Sequence, residues 1–307
     1  MSRAEVLRYS FILFLLGAGW GLTQPLGKIA VSTGYGHFGL VFWQLAIGLV
    51  CMTVIGVIAR RPFPVGARQL VLCVFIALIG TVIPNAAAYM ALAHIPAGVQ
   101  SVLMSVVPLV AFPIAIVLGL EGFNPRRALG LLCGLAGVLV LVLPRASLPD
   151  PAALPWVAVT MIAVVLYAFE GNYVARWGTA GLDAVQVLWG ASALGTIIAL
   201  PLALGTGQFI PPHWPLDRPD VALIGASVVH ALVYTGYVWL VGRAGSVFAA
   251  QVGYPVTATG VLWAMLILSE TYSPYFWAAA ALILGGVFLV QPRQQETLAS
   301  ASSIGET

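Results

Sequence analysis

The sequence predicts an all-α integral membrane protein with ten transmembrane helices arranged as two inverted five-helix repeats. Three observations carry that expectation: a composition too apolar for water, ten apolar runs of membrane-crossing length, and an ordered set of residues that recurs about 149 positions along the chain. Of 307 residues, 61% are hydrophobic and 7% are charged, and the mean hydropathy is +1.00. Soluble domains carry about 25% charged residues, so a soluble fold of this chain would lack a polar surface. Disorder demands the reverse composition, charge with few apolar groups. The 13 basic and 10 acidic residues are scattered and offer no nucleic-acid-binding surface. Cys51, Cys73 and Cys133 sit singly in apolar runs and read as buried thiols rather than as disulfide or metal partners. The first run continues through Gly17, Trp20 and Pro25 without a small-residue cleavage site, so it reads as a span and not a cleaved leader.

A helix needs about 20 residues to cross the hydrocarbon. Runs of that order lie at 8–28, 37–59, 68–90, 96–118, 127–144, 153–175, 184–204, 220–240, 245–268 and 274–291. Between them fall Arg60-Arg61-Pro62, Glu121 to Pro125, Arg145 to Pro151 and the Pro/His/Asp stretch 205–219. Strands of a membrane barrel would be about half as long, with alternating polarity. With the N-terminus in the cytoplasm, the inner connections collect Arg3, Arg8, Arg60, Arg61, Arg68, Arg126, Arg127, Arg176, Arg243 and Arg293, against Lys28, Arg145 and Arg218 outside. That bias is the one cytoplasmic loops carry, so both termini are expected inside, with a disordered cytoplasmic tail at 292–307.

Residues 95–145 and 243–293 read alike. Each has a small-residue helix start, a mid-helix proline (Pro108, Pro255), an acidic residue at the helix end (Glu121, Glu270) and a glycine-bearing helix (Gly130, Gly134 and Gly137; Gly285-Gly286). The repeats are therefore 1–145 and 153–291. Five is an odd number of spans, so the second copy enters the membrane from the opposite side. Inverted repeats of this kind belong to alternating-access transporters, with the substrate site near the midplane between them.

Trp20-Gly21, Ala-Gly-Val-Gln-Ser at 97–101, Pro108, Glu121 and Gly130 to Leu143, followed by Gly245 to Gln251, Pro255, Glu270 and Gly285-Gly286, resemble the EamA-type proteins of the drug/metabolite transporter superfamily over about 10–291. The resemblance implies export of amino acids, related metabolites or drugs, with nucleotide-linked sugars moved by some members. It also implies that the last helix of each repeat lies away from the pathway, which leaves a monomer or a homodimer. Glu170 in span six departs from the small and aromatic pattern of that family.

Polar side chains within apolar spans need internal partners or water, which makes them candidates for the path. Span one offers Trp20, Gln24 and Lys28 on one face, Lys28 being able to snorkel to water. Span three carries the stripe Thr81, Asn85 and Tyr89 beside Pro84, and span eight His230, Tyr234 and Tyr237; a shift of 149 places Thr81 on His230 and Asn85 on Tyr234. Span four adds Gln100, Met104 and Pro108, and span nine Gln251, Tyr254 and Pro255, where the prolines bend helices only toward protein or a wet cavity. The glycines read as helix-packing sites.

Span six carries Glu170 between Tyr167 and Tyr173, with Trp177 beyond. An acidic side chain at a helix centre costs about 2.5–3.5 kcal/mol on translocon scales. Glu170 is therefore expected to form an ion pair with Arg176 or another inner arginine, to bind a substrate ammonium, to couple transport to protons, or to face a cytoplasmic vestibule. Aromatic walls are expected from Tyr89, Tyr173, Tyr234 and Tyr254.

The four histidines are widely separated, and no hydrolase, zinc-protease or phosphate-loop motif is present, so neither an enzyme nor an ATP-driven pump is expected and no cofactor or metal is called for. The leading reading is a bacterial inner-membrane secondary transporter that exports small polar or amphipathic metabolites, amino acids foremost, surrounded by lipid and with protons as a candidate coupling ion. The alternatives are anionic or nucleotide-linked substrates, which would favour basic groups near the midplane, or a non-transport scaffold.

Overall fold

The computed structural model describes residues 3–143 and 151–290, all helical or connecting. Arg145, Arg293 and the expected tail lie outside these residues. Ten spans follow in order: α1 Arg3–Ala30, α2 His37–Ile58, α3 Ala67–Leu92, α4 Ala97–Val117, α5 Pro125–Val142, α6 Leu154–Trp177, α7 Ala184–Gly205, α8 Arg218–Ala244, α9 Ala250–Leu268 and α10 Pro274–Val290. The first nine have 18 to 28 residues and α10 has 17.

Three spans are not uniform α-helix, and in each a proline explains the break. A proline has no N–H to give the carbonyl four residues earlier, and its ring crowds that carbonyl. In α4 the first segment ends at Met104, four residues before Pro108, and a second begins at Val107. In α3, Gly80 stands four residues before Pro84, inside a π-helical stretch Ile76–Val82. The run expected as one helix over 245–268 is divided into a short helix Ser246–Ala249, a 3-10 turn Ala250–Val252 and the helix Gly253–Leu268, with Gln251 four residues before Pro255.

The spans pack mostly across the two repeats. α1 lies against α8 and α9, α6 against α3 and α4, and α2 against α7 and α8; α7 also meets α3, α4 meets α9, and α5 meets α10. Exchanging α1–α5 with α6–α10 returns the same set of neighbours, as a pseudo-twofold axis requires. The charges sort with the ends. Arg3, Arg8, Arg60, Arg61, Arg68, Arg126, Arg127, Arg176 and Arg243 gather at one, the arginine end, while Lys28 and Arg218 belong to the opposite end. Contacts between connections agree with that alternation: Arg61 pairs with Asp183 at 3.0 Å at the arginine end, and Tyr35 donates to Asp220 at the opposite end.

Glycine sets the closest approaches, since lipid supplies no hydrophobic drive between helices. A Cβ on Gly130 of α5 would stand 2.6 Å from the Gly286 carbonyl oxygen of α10, and one on Gly137 2.9 Å from the Ala279 carbonyl oxygen. On α1, a Cβ at Gly17 would lie 2.6 Å from Pro255. Gly285 corrects the expectation that both glycines of its pair pack, because a Cβ there meets nothing within 4 Å. Gly286→Val should therefore destabilise the α5–α10 seam by about 1–3 kcal/mol, while Gly285→Val leaves thermal unfolding in detergent unchanged. Equal melting temperatures for the two variants would refute this account of the seam.

Candidate functional site

The breaks and the cross-repeat packing enclose a cavity of about 480 Å³, walled by side chains from α1, α2, α3, α4, α6, α8, α9 and α10. Its polar wall follows helical spacing. Trp20, Gln24 and Gly27 come from one face of α1, Asn85, Ala88, Tyr89 and Leu92 from one face of α3, and Ser101, Met104, Ser105 and Pro108 from one face of α4. Thr23, Gln44, Tyr167, His230, Tyr254 and Thr257 complete the polar groups. A smaller cavity of about 170 Å³ adjoins it, bounded by Gly48, Met52, Gly80, Thr81, Leu188 and Ser192 among others. Trp20, Gln44, Asn85, Tyr167 and His230 line both and form the partition between them.

Hydrogen bonds hold that partition. The Trp20 indole Nε1 donates to His230 Nδ1 at 3.1 Å, joining α1 to α8. The Tyr167 hydroxyl donates to Asn85 Oδ1 at 2.6 Å, joining α6 to α3. These bonds are counterparts: in each, an aromatic donor on the first helix of one repeat reaches a polar acceptor on the third helix of the other. A third bond runs from the Tyr89 hydroxyl to Gln44 Oε1 at 2.8 Å. Indole is a donor only, so His230 accepts at Nδ1 and its neutral ring carries the proton on Nε2.

Among the described residues, neither cavity is lined by Asp, Glu, Lys or Arg. The wall offers amide, hydroxyl and imidazole groups set in apolar and aromatic surface. It can hydrogen-bond a small solute and stack on its rings or chains without countering a net charge.

Of the residues singled out from sequence, Trp20, Gln24, Asn85, Tyr89, His230 and Tyr254 meet at this cavity. Six others stand elsewhere. Gln100 is fully buried between α4 and α6, where it accepts from Thr160 at 2.8 Å and does not line the cavity. Tyr234 and Tyr237 pack around Trp20 at ring distances of 6.5 and 5.4 Å, behind the wall rather than in it. Tyr173 stacks on Phe75 at 3.9 Å, toward the arginine end of α6. Gln251 is exposed at the start of α9.

Glu170 lies against the π-helical segment of α3: a Cβ on Gly80 would stand 2.7 Å from its carboxyl carbon. It makes no ion pair with a described residue, and Arg176, one partner weighed for it, is exposed. Gln44, Tyr167, Ser101, Ser105, Thr23 and Thr257 were not anticipated as a group. Gln44 is a lone amide in an apolar run, and Ser101 and Ser105 are spaced by four, which are the signals the sequence held.

His213 and Asp217, in the connection before α8, and Asp220 in its first turn bring possible metal-ligand atoms within 4.8 Å of one another. Their geometry already has a structural use. Asp220 accepts from the Tyr35 hydroxyl and the Asp217 amide, and His213 Nε2 lies 3.1 Å from it. The Pro211 carbonyl does most to raise the His213 pKa; desolvation opposes it, and the Asp220 and Asp217 carboxylates add to the rise.

The partition bonds should contribute to stability in matched fashion. Trp20→Phe and Tyr167→Phe each remove one donor and should cost about 1–3 kcal/mol, the penalty for a buried group left unpaired. In a double-mutant cycle of Tyr167→Phe with Asn85→Ala, unfolding in detergent should show a coupling of about 0.5–1.5 kcal/mol; additivity would mean that the bond does not form.

Comparison with known proteins finds the EamA-like transporter family model matched twice, over residues 7–143 and 154–291. A solved structure described only as a crystal structure of a protein superposes with a TM-score of 0.58 and 20% identity, covering 91% of this chain and 97% of that one, which shows the shared fold. No curated protein matches the chain.

Proposed function

The chain belongs to the EamA-like transporter family, and from that premise we propose that it is a secondary transporter exporting small uncharged or zwitterionic metabolites, amino acids foremost, across a bacterial inner membrane by alternating access. The observation that carries this reading is the uncharged cavity between the repeats, a largely apolar wall studded with amide, hydroxyl and imidazole groups. Its volume of about 480 Å³ suits a small metabolite, being within the usual range for ligand sites. Its mixture of amides, hydroxyls and aromatic rings suits a solute with hydrogen-bonding groups on an apolar body. Anionic or nucleotide-linked substrates would meet no cation there, since the arginines gather at one end of the bundle. The arginine bias puts that end in the cytoplasm, with both termini. In this reading the chain performs no covalent chemistry.

Glu170 is set apart from the substrate wall, beside Gly80, which itself lines the smaller cavity. That location suits a carboxylate that carries a proton better than one that grips a substrate. We assign it to proton coupling.

Flux measured in proteoliposomes against a panel of neutral, cationic and anionic metabolites, with and without an imposed pH gradient, tests the substrate class. Uptake confined to anions, or no flux with any solute, would overturn it. Asn85→Ala should lower the apparent affinity for the identified substrate about tenfold, the effect of one lost hydrogen bond to a buried partner. Tyr234→Ala, behind the wall, should lower it less; equal, unaltered affinities in both would exclude these residues from binding. Glu170→Gln should abolish gradient-driven flux and leave downhill exchange intact. Unchanged pH dependence in a well-folded variant would return Glu170 to a structural role. Val65→Cys in a cysteine-free background should react with an impermeant maleimide only from the cytoplasmic side, and labelling from outside would invert the assigned orientation.

A further inference from the structure

The connection between α3 and α4, at the opposite end, is held from two directions. Lys28 Nζ donates to the carbonyls of Leu92 at 2.6 Å and Ile95 at 2.9 Å, with Ala93 at 3.4 Å. These are carbonyls at the C-terminal end of α3, where a cation is favoured and backbone acceptors lack helical partners. Glu270, just beyond α9, accepts from the amides of Ala97 at 2.8 Å and Gly98 at 3.1 Å, the first turn of α4, where an anion is favoured. The Tyr272 hydroxyl donates to the same carboxylate at 2.5 Å. Burial, and after it this hydrogen bond and the carboxylate's charge, raise the Tyr272 pKa and keep it a donor.

The sequence repeat supplies the same parts at the arginine end. Arg176 stands 148 residues after Lys28, and Glu121 stands 149 before Glu270. There they are not assembled. Glu121 pairs instead with Arg127 of α5. Arg176 is exposed. Burial follows the same division: every residue from Ala97 to Leu103 is buried, whereas Ala250 and Gln251 near the start of α9 are exposed. Ala250 and Gly253, both exposed, also line the larger cavity.

We infer that Lys28 with Glu270, and Arg176 with Glu121, are the two halves of a symmetric latch on the broken helices α4 and α9, and that only one half is closed at a time. In this structure the half at the opposite end is closed and the half at the arginine end is open, so the cavity is reached beside the start of α9. In the alternate state Glu121 leaves Arg127 for the start of the α9 segment, Arg176 meets the last carbonyls of α8, and Lys28 and Glu270 let go of α3 and α4. The inference rests on the alternating-access reading above, and the test separates the two.

Ala88→Cys places a thiol on the cavity wall of a chain whose three native cysteines are replaced by alanine. Its rate of reaction with an impermeant maleimide is measured from each side of sealed vesicles, on protein shown to be helical and monodisperse. Glu270→Ala and Lys28→Met should each raise the ratio of opposite-end to arginine-end labelling about tenfold, the shift expected from loss of one charge-assisted hydrogen bond. Glu121→Ala should move the ratio the other way. If the parent chain is labelled from both sides but Glu270→Ala and Lys28→Met leave the ratio unmoved, or Glu121→Ala moves it in the same direction as Glu270→Ala, the latch is wrong and alternation stands. Labelling from one side only, in the parent and in every variant, would overturn alternation and the latch together.

Discussion

In hydrocarbon a backbone N–H or C=O has no water to bond, so it must be satisfied inside the protein. Three spans of this bundle give up part of their own ladder at Pro84, Pro108 and Pro255, and each break is turned inward. The π-helical stretch before Pro84 brings Gly80 and Thr81 to the smaller cavity. The break before Pro108 brings Ser105 and Val107 to the larger one, and the turn before Pro255 brings Ala250 and Val252 there. The same irregularity that a lipid-facing helix cannot tolerate thus creates the interior surface on which a solute can sit. The cavity and the broken helices have one physical origin.

Neither repeat supplies that interior alone. α1 is buried against α8 and α9 of the other repeat, and α6 against α3 and α4. The partition bonds cross the same boundary, Trp20 to His230 and Tyr167 to Asn85. Equivalent residues of the two repeats are nonetheless arranged unequally around the pseudo-twofold axis. Here the asymmetry concentrates at the helix ends, where Glu270 reaches the start of α4 but Glu121 turns to Arg127.

Charge is distributed by the cost of burying it. Lysine and arginine stay at the ends, and the central wall carries dipoles. Lys28 and Glu270 are tolerated near the edge of the bundle because helix termini supply opposite partial charge and several hydrogen bonds. Among the described residues Glu170 has no such partner, and its carboxylate occupies space that a side chain on Gly80 would have taken.

Much of this was legible in the sequence, because membrane crossing imposes length and apolarity on every span. The ten runs, the odd number in each repeat, the sorted arginines and the positions of the three prolines required no tertiary information. The stripe Thr81, Asn85 and Tyr89 marks the side of α3 away from lipid, and these residues line the two cavities. Which way the other spans turn was decided only by packing. Gln100 and Gln44 look alike as lone amides in apolar runs, yet Gln100 is sealed against Thr160 and Gln44 faces the cavity. A Cβ on Gly286 would run into α5, while one on Gly285 would meet nothing within 4 Å. A helix in water declares its buried face by amphipathicity, but one in lipid is apolar on all sides and carries little such signal. The rotation of each span, and with it the membership of the site, comes from the shapes of its neighbours, and those exist only once the two repeats have come together.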